Sequence, residues 1–531
     1  MARAPRPLLA LLIGLAASAA QAATITIVNA NNPGQGFNDT TAATPVGGNT
    51  GTTVGQQRLI AFQHAAQIWG AHLTSNVEIL VRSSFEELEC DATTAVLGSA
   101  GPIQVFSDHA NAPLTGTWYA VALANKQAGS DQAPPSQGSS DDIRARFNSN
   151  IGTSGCLSTS GWYYGLDGNN GGNVDLVDVL LHEFGHGLGF LSLVDDETGE
   201  IFFEQPDVWT YFLYDGSTRR RWLDMSPAER QFSAINFRRV SWRGPSATAS
   251  TPLFLQPGSP ALRVLTPAAI ADKLVASTAS FGPALTTTGV TGILVPATDA
   301  SDTIGPSTTD GCAPFTNAAA VAGRVALIDR GNCDFVVKVR NAQAAGAIGA
   351  VIANHRNDGD GDGVPDTNGV ADMGGTDLTI TIPSVGVSFH EGAELRVYSG
   401  AGVTVTLLAD PTVRVGADAQ GHPLLFTPSP VDPGSSVSHW DRSTFPNTLM
   451  EPNISSDIDG ELDLTLPLFE DIGWGASPDA DADGVANAID NCPGLANPLQ
   501  EDTNFNSIGD ACEGRRLPID RNRSTTIVSP R

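Results

Sequence analysis

Two histidines four residues apart, with a glutamate beside the first, stand out as groups able to do chemistry: His182-Glu183-Phe184-Gly185-His186. On a helix, positions four apart lie on one face, so His182 and His186 can present two imidazoles to one metal ion. Glu183 sits one position along, near enough to hold a water at that ion. Zinc suits the arrangement, because it takes neutral nitrogen ligands and its catalytic sites combine three protein ligands with water. The chemistry open to such a site is hydrolysis, with Glu183 moving the proton of the water.

The flanking residues predict the helix. Val174, Val177, Leu181, Phe184 and Leu188 recur at spacings of three and four, and Asn173 or Asp175 can cap the start. Gly185, Gly187 and Gly189 are poor helix formers, each costing about 1 kcal/mol against alanine. Three so close together imply a sharp turn or a close backbone approach. The third ligand is not local. In the pattern HExxHxxGxxH, Gly189 stands at the glycine but Ser192 stands where a histidine would be. Of the nine histidines, His64, His72 and His109 precede the helix, and His355 and His390 fall in a separate downstream segment. His422 and His439 remain. Glu204, on the Phe-rich and helix-like stretch 201–214, is a carboxylate alternative.

The elements that must position these groups are spread along 531 residues, enough for several domains. Strands are expected over 24–28 and 77–85, a helix over 56–73, and short segments at 143–147 and 162–166 before the metal helix. The net charge of −28 repels nucleic acid and anionic membranes. Arg3 and Arg6, the apolar run 8–17 and Ala20-Gln21-Ala22 read as a secretory signal over residues 1–22. No later apolar run is long enough to span a membrane, so a secreted protein is expected. Six cysteines fit that compartment. Locality along the chain pairs Cys90 with Cys156, Cys312 with Cys333 and Cys492 with Cys512, one of fifteen possible connectivities.

Three resemblances refine this picture. The segments Cys312-Ala-Pro-Phe315, Gly323 to Phe335, Lys338 to Gly346 and Thr381-Ile-Pro-Ser-Val385 resemble a protease-associated (PA) domain. That implies a non-catalytic α/β lid or docking insert, placed here at 263–410. The run from Ser438-His439-Trp440 to Leu449-Met450-Glu451-Pro452 resembles the leishmanolysin-like metallopeptidases. Carried over, the resemblance makes His182, His186 and His439 the zinc ligands, Glu183 the catalytic acid and base, and Met450 the apolar support beneath the imidazoles. Asp479, Asp481, Asp483, Asn487 and Asp490 place oxygens in a calcium-loop register with Gly484 at the turn. Asp502, Asn504, Asn506, Asp510 and Glu513 repeat it, with Ser507 for the glycine and weaker binding expected. Together with Cys492 and Cys512 this end resembles a thrombospondin type 3 repeat. A third acidic glycine loop, 358–366, lacks an acid at its twelfth position.

The resulting expectation is an α+β chain. It has a zincin (metzincin-like) catalytic domain in two parts, 23–262 and 411–475, interrupted by the α/β PA insert. A calcium-loop module over 476–514 and a polar tail over 515–531 follow. Zinc and structural calcium are the implied ions, and protein or peptide bonds the implied substrate. The alternative is an extracellular calcium-dependent adhesion or binding protein whose zincin domain is inactive.

Overall fold

The computed structural model describes residues 22–133, 140–301, 303–304, 307–355, 369–370, 373–455, 458, 460–475, 492, 497 and 511–512. The signal-like residues before Ala22, the ten calcium-type oxygens named above and the loop 358–366 lie outside them.

The first part of the chain is a four-stranded sheet backed by two helices. Strand β1 (Ile25–Asn29), helix α1 (Val54–His72), strands β2 (Ile79–Glu86), β3 (Gly98–Pro102) and β4 (Ile143–Asn148), and helix α2 (Leu176–Leu188) follow in order. The sheet order is β1-β2-β4-β3. β1, β2 and β4 run parallel, and β3 is an antiparallel edge. Strand β2 alternates as a half-buried strand must: Ile79, Val81, Ser83 and Phe85 face in while Arg82 faces out. Thr53 caps α1 by accepting from the Gln56 amide, and its buried face carries Ala61, Phe62, Ala65 and Trp69. The 201–214 stretch departs from the helical expectation. It holds two short 3-10 turns, Phe202–Glu204 and Thr210–Phe212, and then enters a strand, Leu213–Asp215, because Phe203 and Glu204 take left-handed backbone angles that no α-helix accepts.

The middle of the chain is an independent layer. Its strands are β5 (Pro257–Thr266), β6 (Lys273–Val275), β7 (Ser277–Thr278), β8 (Val290–Pro296), β9 (Val325–Asp329), β10 (Gly349–Ala353), β11 (Ser384–Val387) and β12 (Thr404–Arg414). They form one sheet in the order β6-β5-β12-β8-β9-β10-β11-β7, parallel from β8 to β11. Helix α3 (Phe335–Ala344) makes the crossover between parallel β9 and β10, and helix α4 (Phe389–Tyr398) leads from β11 into β12, which runs the opposite way. Each face of the sheet has its own apolar core. The long β5–β12 ladder pairs Pro257 with Arg414. The layer therefore begins and ends several residues outside 263–410, since the loss of charged residues that marks it in the sequence starts in mid-strand.

That ladder brings the two ends of the insert together, which lets it leave the first domain's core uninterrupted. A single core runs from Ala23 to Leu255 and resumes from Ala417 to Trp474. The returning segment, with helix α5 (Thr465–Ile472), is stitched in by buried tryptophans. The Trp209 indole donates to the Val437 carbonyl at 3.1 Å, the Trp474 indole to Leu188 at 2.9 Å, and the Trp242 indole to Asp471 at 2.9 Å. Each such bond, left unmade in a dry core, would cost about 1–3 kcal/mol. Disulfides join Cys90 to Cys156, Cys312 to Cys333 and Cys492 to Cys512.

Candidate metal centre

Helix α2 starts where Asp175, not Asn173, accepts from the Val177 amide at 2.9 Å. It ends at Gly189, whose φ of +127° turns the chain sharply. Nearly the whole helix is buried, so its glycines mark close approaches. A β-carbon on Gly185 would stand 2.8 Å from the Met450 sulfur, and one on Gly187 would stand 2.4 Å from the Ile143 side chain. Met450 is fully buried and packs against the helix at Gly185, one residue before His186.

The structure brings His182, His186 and His439 together. Their Nε2 atoms form a triangle with edges of 3.1, 3.1 and 3.3 Å. Each Nδ1 faces a backbone carbonyl: His182 that of Leu449 at 2.8 Å, His186 that of Phe190 at 2.7 Å, and His439 that of Ser435 at 2.9 Å. A carbonyl only accepts, so each Nδ1 must carry the proton and each Nε2 an unshared pair. Three unshared pairs converging with no proton between them repel one another unless a cation draws them in. Zinc–nitrogen bonds of about 2.0–2.1 Å in a tetrahedron set nitrogen separations of about 3.3–3.4 Å. The triangle fits that ion closely. Burial holds His182 down to about 3 and His186 down to about 4, with His439 also well below its usual value, so all three stay neutral.

The Glu183 side chain packs against β3. It is almost fully buried, and a β-carbon on Gly98 would meet its Cγ at 3.0 Å. Burial pushes its carboxyl up to about 8, opposed by the Ala100 amide and by Arg146. Sequence reasoning did not find β3. Its residues, Gly-Ser-Ala-Gly-Pro, carry no strand signal, and only the ladder with β4 makes them one.

The rival ligands stand elsewhere. Glu204 is exposed on its 3-10 turn. His422 is engaged at both nitrogens, by Asp418 at 3.0 Å and by Arg243 at 3.0 Å.

Two family models match the chain. Residues 290–395 match the PA domain, and residues 477–500 match the thrombospondin type 3 repeat. Similarity to whole proteins is partial. ER degradation-enhancing alpha-mannosidase-like protein 3 of Xenopus laevis is 38% identical over 82 residues, 15% of this chain and 9% of that protein. An aminopeptidase of Pseudomonas aeruginosa is 36% identical over 110 residues, 20% of each. Among solved structures, a zinc aminopeptidase from Bacillus subtilis aligns over 30% of this chain and 35% of its own, with 21% identity and a TM-score of 0.20. The chain thus spans a tenth to a fifth of the curated relatives it matches.

Proposed function

We propose that this chain is an exported zinc-dependent endopeptidase, with His182, His186 and His439 as its metal ligands. One observation carries the reading: three buried, neutral imidazoles aim their Nε2 lone pairs at a point where only a cation can reconcile them. An aminopeptidase among the relatives and this chain's own PA match over residues 290–395 are compatible with a hydrolase.

Zinc held there supplies a Lewis acid that polarises a peptide carbonyl and acidifies water. The chain's own groups do the rest. The Leu449, Phe190 and Ser435 carbonyls fix the tautomer and aim of each ring, which strengthens it as a ligand. Beside a bound dication the Glu183 carboxyl would stay ionised against its burial, and as a carboxylate it would take the proton of the attacking water and return it to the leaving amine. The Ala100 amide orients that carboxylate, and surrounding apolar residues exclude competing water. The outer edge of β3 beside Glu183, open among the described residues, suits an extended peptide, which would add to the sheet as another strand. That geometry favours bonds inside a chain over termini, because the strand continues on both sides of Glu183.

Calcium at Asp479, Asp481, Asp483, Asn487 and Asp490, and more weakly at Asp502, Asn504, Asn506, Asp510 and Glu513, belongs to the same proposal. It rests on the loop register and the repeat match at 477–500. Hydrolysis of casein by purified protein, with and without a chelator, tests the central claim. Activity should vanish with the metal and return with zinc, and chelator-resistant clearing would overturn it.

A further inference from the structure

Beside this centre lies a cleft of about 690 Å³ that none of the steps above uses. Residues 101–106, which continue from β3, form one wall. Leu191 and Leu193, which continue from α2, form another, and Phe202 closes the side. Around its mouth Ile103, Phe202 and Phe203 are exposed, Phe203 by 80%, on a chain whose net charge is −28. Large apolar groups gathered at the rim of a cavity are a mark of binding surfaces. The two phenylalanine rings meet edge to face at 4.5 Å, and the Trp118 indole pins the Phe202 carbonyl at 3.2 Å. Phe203 and Glu204 have φ of +48° and +58°. Two adjacent non-glycine residues in this disfavoured region persist only where their surroundings over-determine them, and ligand clamps are a common such place.

We propose that the cleft takes a large apolar side chain of the peptide substrate, carried within three residues on the amino side of the scissile bond. The inference rests on the endopeptidase reading and adds to it a substrate class with a direction. The direction comes from strand polarity. β3 runs from Gly98 through Ala100, whose amide reaches Glu183, toward Pro102 and the cleft. Its pairing with β4 is antiparallel, and its other edge is open among the described residues. A peptide added to that edge in the more stable antiparallel sense runs opposite to β3. It crosses the cleft first and Glu183 second. The cleft begins one residue past Ala100 and, at about 3.4 Å per residue, the next three substrate residues lie over it.

Cleavage-site profiling of the full-length, zinc-loaded protein on a denatured-proteome peptide mixture tests this. Phe, Leu, Tyr or Met should be enriched in the three positions before the cut. Phe202→Ala and Ile103→Ser, both at exposed positions, should lower kcat/KM for such peptides by about tenfold more than for peptides with serine there. Enrichment only after the cut, or none with cleavage intact, overturns the inference and leaves the endopeptidase reading standing. A binding arm covers the case of no cleavage. Glu183→Gln protein is titrated with two fluorescent peptides that differ only in Phe or Ser at those positions. Tighter binding of the Phe peptide that Phe202→Ala abolishes supports the cleft independently of catalysis. Equal affinities, or no binding of either, sinks it.

Discussion

Replacing His439 by alanine removes one corner of the nitrogen triangle and leaves the other two where α2 holds them, 3.1 Å apart. Zinc sites with four protein ligands bind with about 10–16 kcal/mol, or about 3 kcal/mol per ligand. Water can take the vacated position and recover part of this, so the expected loss is about 2–3 kcal/mol, about 30- to 150-fold in Kd. Competition with a chromophoric chelator measures this directly. Calorimetry in buffered zinc gives a second readout. At 100 times the wild-type Kd, zinc stabilises the wild type by about 2.7 kcal/mol and a variant binding 100-fold more weakly by only about 0.4 kcal/mol. His422→Ala is the control, because its ring is tied to Asp418 and Arg243. Wild-type affinity in His439→Ala, or an equal loss in His422→Ala, would refute the assignment of the third ligand.

Other outcomes follow from the same structure. Glu183→Gln should keep the zinc affinity of the wild type and lose about 10²- to 10⁴-fold in kcat; a kcat within tenfold of wild type removes Glu183 as the base. Gly187→Ala should destabilise by about 1–3 kcal/mol despite alanine's better helix propensity, because its β-carbon meets buried Ile143; an unchanged or raised Tm contradicts the close approach. Replacing Cys90 and Cys156 by serine opens a loop spanning 66 residues, which chain entropy values at about 4 kcal/mol, readable as a lower urea midpoint. Asp142, buried against the Leu80 amide and Asn125, is pushed up to about 7. Its folded form therefore holds a proton that the unfolded chain has released above about pH 4. The folded state binds more protons between about pH 4 and 7, so the penalty grows through that window and levels off above it, at most about 4 kcal/mol. The stability of Asp142→Asn relative to wild type should rise over that range, and a flat difference counts against the shift.

What the sequence made legible was the type of each chemical group, and what it concealed was the frame. His182, Glu183 and His186 declare themselves by spacing within one helix, and the Asp175 cap and apolar stripe announce that helix. His439 lies 257 residues from His182, and only a family resemblance singled it out from His422 and Glu204. Nothing local to it encodes the meeting. The meeting depends on an insert whose ends are zipped together by the β5–β12 ladder, and on tryptophans that bond across the gap. Strand β3 was invisible because glycine, serine, alanine and proline become a strand there only through the pairing of Gly98 to Pro102 with β4 and the packing against Glu183.

The groups that set the tautomer of the three imidazoles are hidden for a further reason: all are backbone carbonyls. Leu449, Phe190 and Ser435 contribute oxygens that any residue type could supply, so composition and motif carry no trace of them. It follows that the site should tolerate Ser435→Ala, which keeps the carbonyl, far better than a proline at 436, which would restrict the turn presenting it. Zinc affinity separates the two. If Ser435→Ala weakened zinc as much as Ser436→Pro, the side chain rather than the carbonyl would be orienting His439. The geometry of this centre would then need another explanation than the path of the chain.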